Sequence, residues 1–248
     1  MVTAPVFVMR QGRREFCTAH DVEDCAPCLE VERAQATERR AAYERQDRLR
    51  GVNHWMGAAH SGDGGRGTGS DLGGLPKLKF ARYGNADWLE RTLPVVVNGI
   101  RDWKWETPCA VFAPTRAGKT SGIVARVHSM YNALFDAAEK GPVTVPGCLL
   151  YCTGYDFGEA AKRRRLGDPP HEMVQIASGV PMLVLDEVHA LHTPLAELFA
   201  VLDLRARKEL PTFIGTGMTK SEFGTWVGAA ALARVMAGTN IDGFKGKK

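Results

Sequence analysis

The chain has 248 residues, 44% of them hydrophobic and 24% charged, with a formal net charge of +4. These values are ordinary for a globular protein with length to spare for a buried core, and no run approaches the roughly eighteen consecutive apolar residues that a membrane span needs. The N-terminal apolar stretch is too short, and its arginines stand on the wrong side, for a secretory signal. A cytoplasmic location is therefore expected, and the mild basicity is compatible with a nucleic-acid partner without requiring one.

Residues 1–28 are turn-rich and carry Cys17, His20, Cys25 and Cys28 in "FCTAHDVEDCAPC". Two C-x2-[CH] knuckles so close together offer four soft or borderline ligands that can face one zinc ion tetrahedrally; redox thiols or a chance cluster are the alternatives. With no open coordination position, such a zinc would be structural, and 1–28 reads as a zinc-binding module. Arg10, Arg13 and Arg14 lie beside it, either to touch nucleic acid or simply to solvate a hairpin. Residues 29–50 lack Gly and Pro and alternate acidic with basic side chains about four apart, which predicts a charged helix with only a thin alanine stripe to bury. It is either a solvated helix or a partner-binding one. Residues 51–75 are rich in glycine and read as a flexible linker, in which Trp55 of "NHWM" stands out as a side chain that should dock somewhere.

From residue 76 to 248 strands and helices alternate, which predicts an α/β domain with a parallel sheet of about five strands and helices on both faces. "CAVFAP" (109–114) is the first strand and "TSGIVARVHSMYNALFDAAEK" (120–140) a helix with apolar residues at helical spacing, closed by Gly141-Pro142. "GCLLYCT" and "PMLVLDE" (181–187) are further strands, 194–210 a helix, "PTFIGTG" (211–217) a strand, 228–238 a last helix and "TNIDGF" a short fifth strand. Cys109, Cys148 and Cys152 fall on or next to these strands and read as buried thiols.

The chemistry concentrates where the first strand meets its helix. Ala113, Pro114, Thr115, Arg116, Ala117, Gly118, Lys119, Thr120 and Ser121 end as a phosphate-binding loop ends, in Gly-Lys-Thr, although Ala113 replaces the first glycine and Arg116 sits mid-loop. A strand running through a tight turn into a helix aims backbone N–H groups and the positive helix end at one point. Lys119 is then expected to reach the β- and γ-phosphates of ATP, and the Thr120 hydroxyl to ligate Mg²⁺. The partner motif is Asp186-Glu187, ending an apolar strand: Asp186 to hold Mg²⁺ through water, Glu187 to orient and deprotonate the attacking water. His189 and His192, close behind, read as surface residues or as a backing to the acids. The basic run 161–168 reads as a nucleic-acid contact or a solvated helix end.

On these residues, 76–244 resembles the AAA+ ATPase domain of the DnaC/IstB-like group, the helicase loaders and their transposition relatives. "LPKLKFARYGNADW" resembles the segment that precedes the core. "PTFIGTGMTKSEF" resembles the sensor 1 strand, with Gly217 where asparagine is expected, so that γ-phosphate sensing would fall to Thr216 or Thr219 or be weakened. "GAAALARVMAG" resembles the helix that carries the arginine finger; Arg234 matches the second of its two basic positions, Ala230 the first, and a plain surface arginine is the alternative. A sensor 2 arginine is absent or replaced by Lys245, Lys247 or Lys248. The zinc element followed by a charged helix is similar to the order of parts in phage-encoded loaders. The resemblance implies an ATP-dependent helicase loader in the cytoplasm of a bacterial host, with a replicative, DnaB-like helicase and single-stranded DNA as partners, and self-association into a ring or spiral. An IstB-like transposition regulator and a non-hydrolysing, zinc-dependent adaptor are the alternatives.

Overall fold

The computed structural model of the chain describes residues 7–10, 13–17, 26–61, 75–76, 78, 81–162 and 172–245. Two short strands, β1 (Phe7–Arg10) and β2 (Arg13–Cys17), pair antiparallel with Phe7 opposite Cys17. The expected zinc ligands cannot be brought together from these residues: His20 and Cys25 lie outside the described residues, as do the side chains of Cys17 and Cys28. Arg163, Arg164 and Arg165 of the basic run and Lys247 and Lys248 also fall outside them.

Helix α1 (Ala26–Ser61) is 36 residues long. It starts ahead of the expected charged helix and continues to Ser61, through the first part of what composition assigned to a flexible linker. Glycine inside a helix costs about 1 kcal/mol relative to alanine, and burial offsets that cost at Gly51. Val52, Trp55 and Met56, at i, i+3 and i+4, are all buried. The Trp55 indole N–H donates to the Gly147 carbonyl at 3.0 Å. α1 lies antiparallel along α4 (Lys119–Lys140): Arg45 pairs with Glu139 at 2.5 Å, and the Tyr131 hydroxyl donates to Asn53 at 2.6 Å.

Two short helices precede the sheet, α2 (Ala86–Glu90), capped by the Asn85 side chain, and α3 (Pro94–Asp102), with Pro94 in its first turn. β3 (Cys109–Phe112) and α4 follow, then β4 (Leu149–Thr153), α5 (Gly154–Lys162), α6 (Glu172–Gly179), β5 (Met182–Val188), α7 (Leu195–Arg207), β6 (Thr212–Thr216), α8 (Lys220–Val235) and β7 (Thr239–Asp242). The five strands form one parallel sheet in the order β4-β5-β6-β3-β7, as the alternation of strands and helices predicts.

β3 is buried at every position, and its side chains divide between two cores. Cys109 and Val111 join Trp55, Val97, Ile100, Val124 and Val127 under α1, α3 and α4; Ala110 and Phe112 join Phe157, Leu198, Val201 and Phe223 under α5, α7 and α8. Each core seals one face, which is why these strands read as continuous apolar runs. Cys109 and Cys152 are fully buried and Cys148 partly so.

The last helix begins earlier than its alanine-rich stretch suggests. Thr219 and Glu222 form a reciprocal capping box that starts α8 at Lys220, and Gly228, at φ +78°, kinks it into two pieces. On α7, Arg205 is buried and donates to the carbonyls of Ala177, Val180, Pro181 and Pro211 and to the Thr212 hydroxyl. Burial without a carboxylate partner pushes its pKa down to about 10. Among the described residues no helix is long and apolar enough to cross a membrane.

Candidate nucleotide site

The site lies at the carboxyl ends of β3 and β5, with β6 between them, where open parallel sheets place ligands. The Ala113 N–H donates to the Thr216 carbonyl at 3.1 Å, continuing the β3–β6 ladder one step into the loop. Ala113 itself is fully buried and is not among the residues at positive φ. Its methyl group fits because of a glycine elsewhere: a Cβ at Gly243, just beyond β7, would fall 2.8 Å from Ala113 Cβ and from Val96 Cγ2. The room a loop glycine would have left is thus provided from the next strand. Gly118 takes φ +97° and has no space for a side chain, since a Cβ there would fall 2.8 Å from Thr92 Cγ2. Leu93 N–H donates to the Ala117 carbonyl at 3.1 Å, so the α2–α3 turn clamps the loop from outside. Arg116 also has a positive φ, +66°, and is exposed.

Lys119 opens α4, is buried, and donates from Nζ to the carbonyls of Ala113 at 2.7 Å and Pro114 at 2.8 Å. Burial holds its amine below the ordinary lysine value, with Asp186 and Glu187 acting against that shift. The Thr120 hydroxyl donates to Asp186 Oδ2 at 2.5 Å. Thus the two residues expected to share a magnesium ion, 66 positions apart, are in direct contact.

β5 presents its acids through a break in pairing. Its register with β6 shifts between Leu185 and Val188, and Glu187 adopts φ +53°. Backbone in this region costs a non-glycine residue on the order of 1–3 kcal/mol and concentrates at functional sites. The break separates the two carboxylates. Asp186 is fully buried, with Oδ2 also accepting from the Tyr151 hydroxyl at 3.2 Å and Oδ1 from the Glu187 N–H at 2.9 Å. Glu187 is exposed and lines a cleft of about 750 Å³ together with Thr115, Arg116, Gly118, Lys119, Thr120 and Ser121.

The cleft is also lined from α2 and the turn after it, including Trp88, Arg91 and Thr92, and by His189, His192 and Gly217. A buried acid touching a hydroxyl, with an exposed acid next to it, suits Mg²⁺: Thr120 would ligate it directly and Asp186 through water. The chemistry of the donors fits the ion. No group of three or more His, Cys, Asp or Glu side chains among the described residues is placed to hold a metal by itself.

Not all the expected residues converge. Thr216 is fully buried, its hydroxyl donates to the Val188 carbonyl at 2.7 Å, and it does not line the cleft. The Thr219 hydroxyl serves the α8 cap. Arg234 also does not line the cleft; it pairs with Asp203, lies over the Phe199 ring, and borders a hollow with Pro108 and Thr212 at the other end of the strands. No local pattern in the sequence marks Tyr151, Gly215 or the α2 side of the cleft, because their roles depend on contacts between distant segments.

A strand, a tight loop ending in Gly-Lys-Thr and a helix, set on a parallel sheet that also carries the acidic pair, define the P-loop NTPase fold. No protein-family model matches the chain, and no curated protein matches it. Among solved structures it is similar to AMPPCP-bound DnaA from Aquifex aeolicus (17% identity, 60% of this chain and 44% of that one, TM-score 0.43). It is also similar to the DnaC helicase loader (13% identity, 63% and 99%, TM-score 0.43) and to DnaI (13% identity, 60% and 77%, TM-score 0.40). The chain matches less than half the length of the DnaA chains, 44% in each of two nucleotide-bound structures.

Proposed function

We propose that the chain is an ATPase of the AAA+ type that acts as a helicase loader in DNA replication, binding ATP with Mg²⁺ at the cleft and switching by hydrolysis. The observation that carries the nucleotide part is the contact of Thr120 with Asp186 beneath a loop that already contains Lys119. The loader part rests on the order of segments read from the sequence: a zinc module of Cys17, His20, Cys25 and Cys28 and a charged helix to grip a replicative helicase, then an ATPase domain to contact single-stranded DNA.

Each residue then has a task. Lys119 exchanges two carbonyl acceptors for phosphate oxygens, whose negative charge acts against the downward push that burial gives its amine. Thr120 would offer its oxygen to a bound magnesium, while Tyr151 and the Glu187 N–H hold the Asp186 carboxylate in place. Magnesium, when bound, neutralises charge on the phosphates. Glu187 accepts the proton of a water whose oxygen attacks the γ-phosphorus; the bond to the β-phosphate oxygen breaks and ADP leaves. Arg234, remote from its own cleft, acts in a neighbouring subunit's site within a ring or spiral.

The test is calorimetric binding of Mg²⁺-ATP to the wild-type chain and to Lys119→Ala, with turnover measured with and without single-stranded DNA. Binding that depends on Lys119 and turnover above that of the variant support an ATPase. Wild-type turnover no higher than the variant's favours a non-hydrolysing adaptor, and preference for duplex DNA and a transposase favours an IstB-like regulator.

A further inference from the structure

Beside Glu187, the cleft lining includes His189, His192 and Gly217. On the nucleotide reading above, on which this inference rests, the terminal phosphate lies between Lys119 and Glu187, its oxygens need donors, and His189 lines the same cleft. The two threonines flanking Gly217 are committed elsewhere and do not line the cleft: the Thr216 hydroxyl goes to the Val188 carbonyl and the Thr219 hydroxyl to Glu222. His192 Nε2 is 2.9 Å from the Glu187 carbonyl, and Gly217 has no side chain.

His189 is different. Its Nδ1 accepts from the Leu191 N–H at 3.2 Å, which leaves the ring proton of the neutral form on Nε2. No described residue takes that proton in a hydrogen bond. The ring is also held in place: it stacks on His192 with centroids 5.7 Å apart and planes 24° apart. Its own backbone N–H donates to Thr193 Oγ1 at 3.2 Å, and that hydroxyl donates to the Gly154 carbonyl at 3.3 Å. A fixed ring with one uncommitted donor therefore stands beside Glu187 in the cleft lining.

We infer that His189 is the contact to the terminal phosphate, its Nε2–H donating to a γ-phosphate oxygen, and that it makes the site prefer a nucleoside triphosphate over a diphosphate. Gly217 sharpens the inference. A Cβ at Gly217 would meet nothing within 4 Å, so the wall there is open and supplies no competing group.

The experiment is calorimetric titration of the full chain with AMPPCP and with ADP, both with Mg²⁺, for wild type, His189→Ala and His189→Gln. His189→Ala is expected to shift the AMPPCP-to-ADP affinity ratio about tenfold toward ADP, the weight of one hydrogen bond to a charged oxygen, with ADP affinity itself unchanged. His189→Gln, which keeps an amide donor, is expected to retain most of the ratio, and adding Gly217→Asn to His189→Ala to restore part of it. An unchanged ratio in His189→Ala, or parallel loss of both nucleotides, overturns the role of His189 and leaves the nucleotide site standing. A wild-type chain that binds neither nucleotide removes the site and the His189 role together.

Discussion

Gly215 and Asp186 share one small volume: a methyl group on Gly215 would lie 2.4 Å from Asp186 Oδ1. The buried carboxylate therefore depends on the absence of a side chain on the neighbouring strand. Gly215→Ala is expected to displace Asp186 and to cost about 1–3 kcal/mol of stability, the usual range for overpacking. It should also weaken nucleotide binding with Mg²⁺ far more than binding in EDTA. Chemical denaturation and paired calorimetric titrations check both effects, and a variant with unaltered Mg²⁺ dependence would show that Asp186 does not serve the metal.

Glu187→Gln keeps the shape of the cleft wall but removes the proposed proton acceptor. Nucleotide affinity is expected to persist while turnover falls by about 10²- to 10⁴-fold, the range for loss of a general base. Steady-state hydrolysis beside a binding titration separates the two quantities.

Arg234→Ala should leave nucleotide binding by the isolated chain intact and reduce hydrolysis only under conditions where chains assemble. Its partner Asp203 also pairs with Arg207, so the acid does not lose every cation. Turnover measured against protein concentration tests the role; superimposable curves for wild type and variant would exclude it.

Trp55→Ala removes a buried ring and its hydrogen bond to Gly147. A loss of about 3–5 kcal/mol is expected from the cavity and the lost burial. Denaturation monitored by circular dichroism measures it, and a loss under 1 kcal/mol would mean that α1 does not share the domain's cooperative core.

Glu222 holds its carboxyl below the ordinary glutamate value, chiefly because the Thr219 backbone N–H donates to it and then because the Thr219 hydroxyl does, with a smaller contribution from His189. A depressed carboxyl favours the folded state at pH above its unfolded value of 4.5, and that contribution disappears as pH falls through the lower folded value. Glu222→Gln should therefore lower the melting temperature at neutral pH and lose its effect at strongly acidic pH. A gap between variant and wild type that is independent of pH would contradict the capping role.

Much of the ATPase-like core was legible from local pattern. β3, β5, β6 and α4 announce themselves by apolar runs and helical spacing, and Gly118-Lys119-Thr120 and Asp186-Glu187 by their residue types. What escaped depends on contacts between distant segments. Nothing local to Tyr151 shows that its hydroxyl meets Asp186, and Gly243 reveals its purpose only once β7 lies beside β3 and exposes the crowding around Ala113. Composition alone points to a linker over 51–75, because glycine content does not show the burial of Val52, Trp55 and Met56 that offsets it in the helical part. The early start of α8 is carried by a local Thr-x-x-Glu signature at Thr219 and Glu222, ahead of the alanine-rich stretch.

α4 has one end in the loop and the other beside α1. Lys119 is its first residue, and at its far end Glu139 is paired with Arg45 and the Ala138 carbonyl accepts from Arg48. Beyond that clasp, the first nineteen residues of α1, 26 to 44, reach past the end of α4, a length of about 28 Å at helical rise. The two helices thus make a continuous helical path from the loop outward, and a partner bound at the outer end of α1 would be joined to Lys119 through these two helices.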